Sequence, residues 1–81
     1  MTPDQSRQAV LGALAEIAPE ADLGAVPEDA DLREWLDIDS FDFLNVVIAI
    51  NERTGVEIPE REYPHLVSLA DFVAYLSGVN V

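Results

Sequence analysis

Apolar residues recur along this chain at helical spacing in three blocks, separated by polar stretches rich in proline and acids. The first block is Val10, Leu11, Leu14, Ile17 and Ala18. Thr2-Pro3-Asp4-Gln5 precedes it and reads as a helix start: Thr2 caps, Pro3 suits the first position, and Gln5 completes a capping box. Arg7, Gln8 and Glu16 face water, and Pro19 stops the run, so a helix is predicted over about 3–17. The second block, Phe43-Leu44-Asn45-Val46-Val47-Ile48-Ala49-Ile50, follows Asp39-Ser40-Phe41-Asp42. Its many β-branched residues make a strand the competing reading over 43–50. Helix is preferred, because the run lacks two-residue alternation, Asp39 can cap with Asp42 in the box position, and Thr54-Gly55 supplies a stop. The predicted helix spans about 40–54. The third block is Leu69, Phe72, Val73 and Leu76, with Ser68 and Asp71 as a capping box and Gly78 as its end.

Two connections remain. Residues 19–38 form a long first loop punctuated by Pro19, Gly24 and Pro27. Leu23, Val26, Leu32, Trp35 and Leu36 pin it against the core, Trp35 as an anchor over it, and residues 31–36 can form a short helical turn. Val56-Glu57-Ile58-Pro59 reads as a short extended linker. A single helical turn follows at 59–63, before Pro64 ends it. The sum is an all-α chain: a small four-helix bundle of three main helices and one short one, with a long first loop, forming one domain over residues 1–81.

Charge narrows the function classes. Sixteen Asp and Glu face four Arg and no Lys, a net charge of −12. Phosphate backbones need Lys and Arg, so nucleic acid is excluded as a partner. Basic protein surfaces are favoured. No apolar run reaches membrane-spanning length, and the N-terminus has no signal-peptide pattern, which predicts a cytoplasmic monomer. The absence of Cys removes thiol chemistry from the chain itself. His65 is the sole histidine, so neither a catalytic triad nor a multi-His metal site can be assembled, and the chain is read as a non-enzyme. The acids Asp37, Asp39 and Asp42 do not make a calcium loop, because residue 42 is not Gly and residue 48 is Ile; no metal site is expected.

Ser40 is the residue with unexplained chemistry. Serine before an apolar run is ordinarily a helix cap. With Asp39 capping, the Ser40 hydroxyl is free in the first turn, where unpaired N–H groups and the positive dipole end suit a phosphate ester. Self-activated nucleophilic catalysis lacks a base.

Leu32, Leu36 and Asp39-Ser40-Phe41-Asp42, followed by an apolar helix, resemble the attachment region of acyl carrier proteins. The resemblance covers about residues 3–78. It implies that Ser40, with Asp39 beside it, receives 4′-phosphopantetheine from coenzyme A through a holo-synthase, a phosphopantetheinyl transferase. The arm's thiol then holds acyl groups as thioesters for partner enzymes of fatty-acid, polyketide or related biosynthesis. Loading and acyl-transfer enzymes with basic docking patches are the implied partners. An aminoacyl or peptidyl carrier, or an unmodified interaction module docking through the central helix, is the alternative.

The central helix carries apolar residues on more than one face. Phe43, Val46, Val47 and Ile50 are predicted to pack inward. Phe41, Leu44 and Ile48, at i, i+3 and i+7, form a second stripe flanked by Asp37, Asp39, Asp42 and Glu52, and read as a docking face. Glu60 and Glu62 in the following turn join the candidate partner contacts. The sequence departs from the family's common pattern at Asp37 (often Gly), Asn45 and Asn51 (often acids), Phe43 (often smaller, near the mouth of the acyl cavity) and Pro64. These departures predict a specialised carrier whose cavity Phe43 fills.

Overall fold

The computed structural model describes residues 1–78. Four α-helices follow one another: α1 (Pro3–Ile17), α2 (Leu32–Leu36), α3 (Ser40–Thr54) and α4 (Leu69–Ser77). Short 3₁₀ segments occupy Leu23–Ala25 and Glu60–His65, and no strand occurs among the described residues. The strand reading of 43–50 is thereby set aside. Residues 79–81, the last of the predicted domain, lie outside the described residues.

Local signals explain where the long helices begin. Thr2 and Gln5 exchange both capping-box bonds, each 3.1 Å. Ser68 Oγ accepts the Asp71 N–H at 3.2 Å, and Asp71 Oδ2 accepts the N–H groups of Ser68 and Val67 at 3.0 and 3.1 Å. At α3, Asp39 Oδ1 accepts the Asp42 N–H at 2.9 Å. Only this half of the predicted box forms. Asp42 is half-buried and returns no bond to Asp39, unlike Asp71 at the start of α4. Gly55 ends α3 in the left-handed region at φ 75°, its N–H donating to Asn51 O at 2.8 Å. Gly78 ends α4 without that device, at φ −86°.

α1 packs against both α3 and α4. Val10, Ala13 and Leu14 from α1 meet Phe43, Val46, Val47, Ala49 and Ile50 from α3, with Leu69, Phe72, Val73 and Leu76 from α4. Each fully buried Leu, Ile or Phe stabilises by roughly 1.5–3 kcal/mol relative to exposure. Val56 and Ile58 are buried while Glu57 between them is exposed, as extended alternation requires.

The long first connection is held at two points. Leu32 N–H donates to Val67 O and Ala70 N–H to Glu28 O, both at 2.9 Å. Arg7 pairs with Glu28 across the same gap. Leu32 is buried, and Leu23, Val26 and Leu36 pack against the core.

Two expectations are corrected. Trp35 is not an anchor over the core: it is 38% exposed and lines a surface depression with Ile17, Pro19 and Leu36. In the five-residue α2, Leu32 takes the inward direction, and Trp35 is turned outward. The helical turn after Pro59 does not end before Pro64, since the 3₁₀ segment runs through it to His65. A 3₁₀ turn loses one i→i+3 bond at a proline, and Glu62 and Leu66 supply such bonds on either side, to Pro59 O and Tyr63 O.

Candidate functional site at the start of α3

Ser40 stands at the first helical position of α3 and is exposed. Asp39 caps the helix, and Phe43 N–H donates to Asp39 O at 3.0 Å. The Ser40 hydroxyl therefore has no capping duty, and it has no side-chain hydrogen-bond partner among the described residues. The N–H groups of Ser40 and Phe41 belong to the helix's first turn and have no intrahelical acceptor. The fifteen-residue helix adds its positive end at the same place. A hydroxyl free to be esterified, beside donors suited to phosphate oxygens, is the chemistry that this geometry offers.

The loop before Ser40 turns through Asp37, which adopts the left-handed region at φ 54° as the C-cap of α2. Asp31 Oδ1 starts α2 by accepting from Arg33 and Glu34 N–H at 2.9 and 3.3 Å. Ile38 N–H closes the turn on Arg33 O at 3.0 Å. Asp37 is the exception that the sequence suggested: an aspartate doing, at some strain, what glycine does freely.

A groove of about 360 Å³ opens beside Ser40, lined by Arg33, Phe43, Leu44, Glu60, Tyr63 and Pro64. The 3₁₀ segment thus brings Glu60 to the serine from twenty positions away. Glu62, half-buried in the same segment, is not part of that lining. Arg33 is exposed and makes no salt bridge among the described residues, where the ion pairs are Arg7–Glu28 and Arg53–Glu16. Its guanidinium lies 5.8 Å from the centre of the Phe43 ring. Sequence reading missed Arg33, Tyr63 and Pro64 as site residues. The available signal was Arg33 itself, a rare cation in an acidic chain, seven positions before Ser40.

The two faces of α3 are as its pattern predicts. Phe43, Val46, Val47 and Ile50 are buried. Phe41, Leu44 and Ile48 are 70%, 41% and 47% exposed, a continuous apolar stripe running from Ser40 along the helix. Asp37 and Glu52 are exposed near its ends, and Asp42 is half-buried. Asn51 has a structural task instead: its Nδ2 donates to Val56 O at 3.0 Å, holding the chain where it leaves Gly55.

Comparison with known proteins gives the family context. The family described as "Phosphopantetheine attachment site" matches residues 8–76. An acyl carrier protein of Campylobacter hominis is 35% identical over 77 residues, covering 95% of this chain and 91% of the relative. One from Renibacterium salmoninarum is 36% identical over 79 residues, with 93% and 96% covered. One from an Arthrobacter species is 35% identical over 78 residues, with the same coverage of 93% and 96%.

Proposed function

This chain belongs to the acyl carrier protein family, and on that premise we propose that Ser40 is the residue that bears its covalently attached 4′-phosphopantetheine. The observation that carries the assignment is the division of labour at α3: Asp39 caps, and the exposed Ser40 hydroxyl is left free beside unpaired N–H groups. A separate phosphopantetheinyl transferase supplies the base. Ser40 Oγ forms the new phosphodiester, the diphosphate linkage of coenzyme A breaks, adenosine bisphosphate leaves, and the hydroxyl proton passes to the transferase. The arm brings the thiol that a cysteine-free chain lacks.

The protein then acts as a carrier without catalysis of its own, holding acyl groups as thioesters and presenting them to partner enzymes in the cytoplasm, as a monomer. Phe41, Leu44 and Ile48 form the docking stripe. Asp37, Asp42, Glu52, Glu60 and Glu62 steer partners with basic patches. The neutral Asn45 and Asn51 leave the middle of the helix without the acids common in the family, which supports recognition weighted toward apolar contact and a specialised pathway over a general one.

The test is incubation with coenzyme A and a broad-specificity transferase, followed by intact mass. A phosphopantetheine-sized gain is expected, absent in Ser40→Ala. Leu44→Asp is expected to keep the fold while slowing modification, because the transferase must dock beside Ser40. A wild-type chain that gains no mass, or a gain that survives Ser40→Ala, refutes the assignment and favours an unmodified docking module.

A further inference from the structure

We infer that Arg33 holds the phosphodiester that joins the arm to Ser40, and so fixes the root of the arm on the side of α3 that faces α2 and the second 3₁₀ segment. The inference rests on Ser40 as the attachment point and adds a second residue of this chain to that site.

Cations are scarce here: four Arg in a chain of net charge −12. Two of them are engaged, Arg7 with Glu28 and Arg53 with Glu16. Arg61 lines a different depression, with Val47, Ile48 and Asn51. At 1.5 Å of rise per residue, those positions lie about 10–16 Å along the helix from Ser40. Arg33 alone of the four lines the groove that contains Ser40. It is exposed, and it makes no salt bridge with Glu60 on the same wall or with any other acid among the described residues.

The guanidinium is also held in place. The Arg33 N–H donates to Asp31 Oδ1 at 2.9 Å, and the Arg33 carbonyl accepts from Ile38 N–H at 3.0 Å, which fixes the backbone. The guanidinium lies 5.8 Å from the centre of the Phe43 ring. That ring is braced by edge-on contacts with Tyr63 and Phe72 at 5.7 and 6.0 Å. Phe43 follows Ser40 by three positions in α3, so their Cβ atoms sit about 5–6 Å apart on one face. The contact that keeps the guanidinium over Phe43 therefore keeps it beside the Ser40 side chain.

A guanidinium offers paired N–H donors that match two phosphate oxygens. Modification adds a negative charge to a chain already rich in them, and Arg33 is the cation stationed where that charge arrives. Exposed ion pairs between free groups are weak. Here the phosphate is tethered, at an effective concentration of about millimolar or more, and the side chain is already partly ordered by the ring.

Apo and fully modified forms, checked by intact mass, are compared for wild type, Arg33→Gln and Arg61→Gln, the last removing the same charge away from Ser40. The readouts are melting temperature and the arginine Nε–H resonances in NMR. In wild type, modification is expected to move the Arg33 resonance at least about threefold more than that of Arg61. The melting point of the modified form minus that of the apo form should be about 2–4 °C lower in Arg33→Gln than in wild type, and within about 1 °C of wild type in Arg61→Gln. Taking this difference cancels whatever Arg33 contributes to the fold itself. Both results are required. An Arg33 resonance that moves no more than that of Arg61, or the same melting difference in both variants, overturns the inference. Should Arg33→Gln fail to fold or to take the arm, the wild-type resonances decide alone. A wild-type chain that gains no arm refutes the carrier reading instead, so the two failures are distinguishable.

Discussion

The freedom of Ser40 depends on Asp39, so the cap is the contact to break. Asp39→Ala deletes the 2.9 Å bond to the Asp42 N–H. Loss of such a cap costs about 1 kcal/mol, within a range of about 0.5–2. Removing a carboxylate from the positive end of a helix costs about 0.3–1 kcal/mol more. Against this, one of sixteen acids is removed from a chain of net charge −12, which relieves repulsion. We expect a net loss of about 1 kcal/mol, which for a chain of this size lowers the melting temperature by about 4–8 °C. Asp39→Asn keeps a capping oxygen and should lose less than about 0.5 kcal/mol. Urea denaturation gives the midpoints at unchanged slope, and amide exchange gives the local effect. The Asp42 N–H should exchange several-fold faster in Asp39→Ala and little faster in Asp39→Asn. If the two variants are equally destabilised, the carboxylate's charge, not its capping bond, holds the start of α3. If neither loses stability, Asp39 is not the cap, and Ser40 is not spared a structural task.

Two further outcomes follow from backbone contacts. Asp71 has its pKa lowered, first by the Ser68 N–H, against the opposing effect of burial, then by the Val67 N–H and Ser68 hydroxyl, with a smaller contribution from His65. A folded pKa below the unfolded one means that Asp71 stabilises above the ordinary carboxylate pKa and loses that effect as pH falls through the folded value. The stability gap between wild type and Asp71→Asn, read from urea midpoints, should therefore be constant near neutral pH and shrink below about pH 4; a constant gap in acid would sink this reading. The left-handed caps differ in cost: Gly55→Ala should lose about 1 kcal/mol at φ 75°, whereas Asp37→Gly should gain about 0.5 kcal/mol, its released strain partly offset by a freer unfolded chain. A loss in Asp37→Gly would show that the aspartate makes a compensating contact.

The long helices were legible because their boundaries are written within four residues. Thr2 with Gln5, Asp39 with the Asp42 N–H, and Ser68 with Asp71 are contacts between near neighbours. The inward and outward stripes of α3 were legible for a related reason: fifteen residues are enough turns for a periodicity to fix which face is buried. Trp35 was misplaced because five residues of α2 are too few turns for that, and size and apolarity alone pointed it inward. Pro64 was given the weight it would have in an α-helix, and the chain uses a 3₁₀ segment there. Arg33 could not be placed at all. Its meeting with Ser40, Tyr63 and Pro64 requires the first loop and the 3₁₀ segment to be folded against the same end of α3, a tertiary fact with no local signature. The family's common pattern flagged Phe43 as unusual, but its ring contacts at Tyr63 and Phe72, twenty and twenty-nine positions on, supply the physical reason.

On the proposed reading, stability and recognition fall on opposite sides of α3. Phe43, Val46, Val47 and Ile50 face the bundle and contribute to the core. Phe41, Leu44 and Ile48 face water, where a large apolar side chain adds little to folding. Three of them at i, i+3 and i+7, starting one residue after Ser40, make a stripe that a partner can cover while the serine stays within its reach. The acids near that stripe repel one another, and on the proposed reading the same charge draws partners with basic patches. Arg33 is the local exception, placed over Phe43 and not on the stripe.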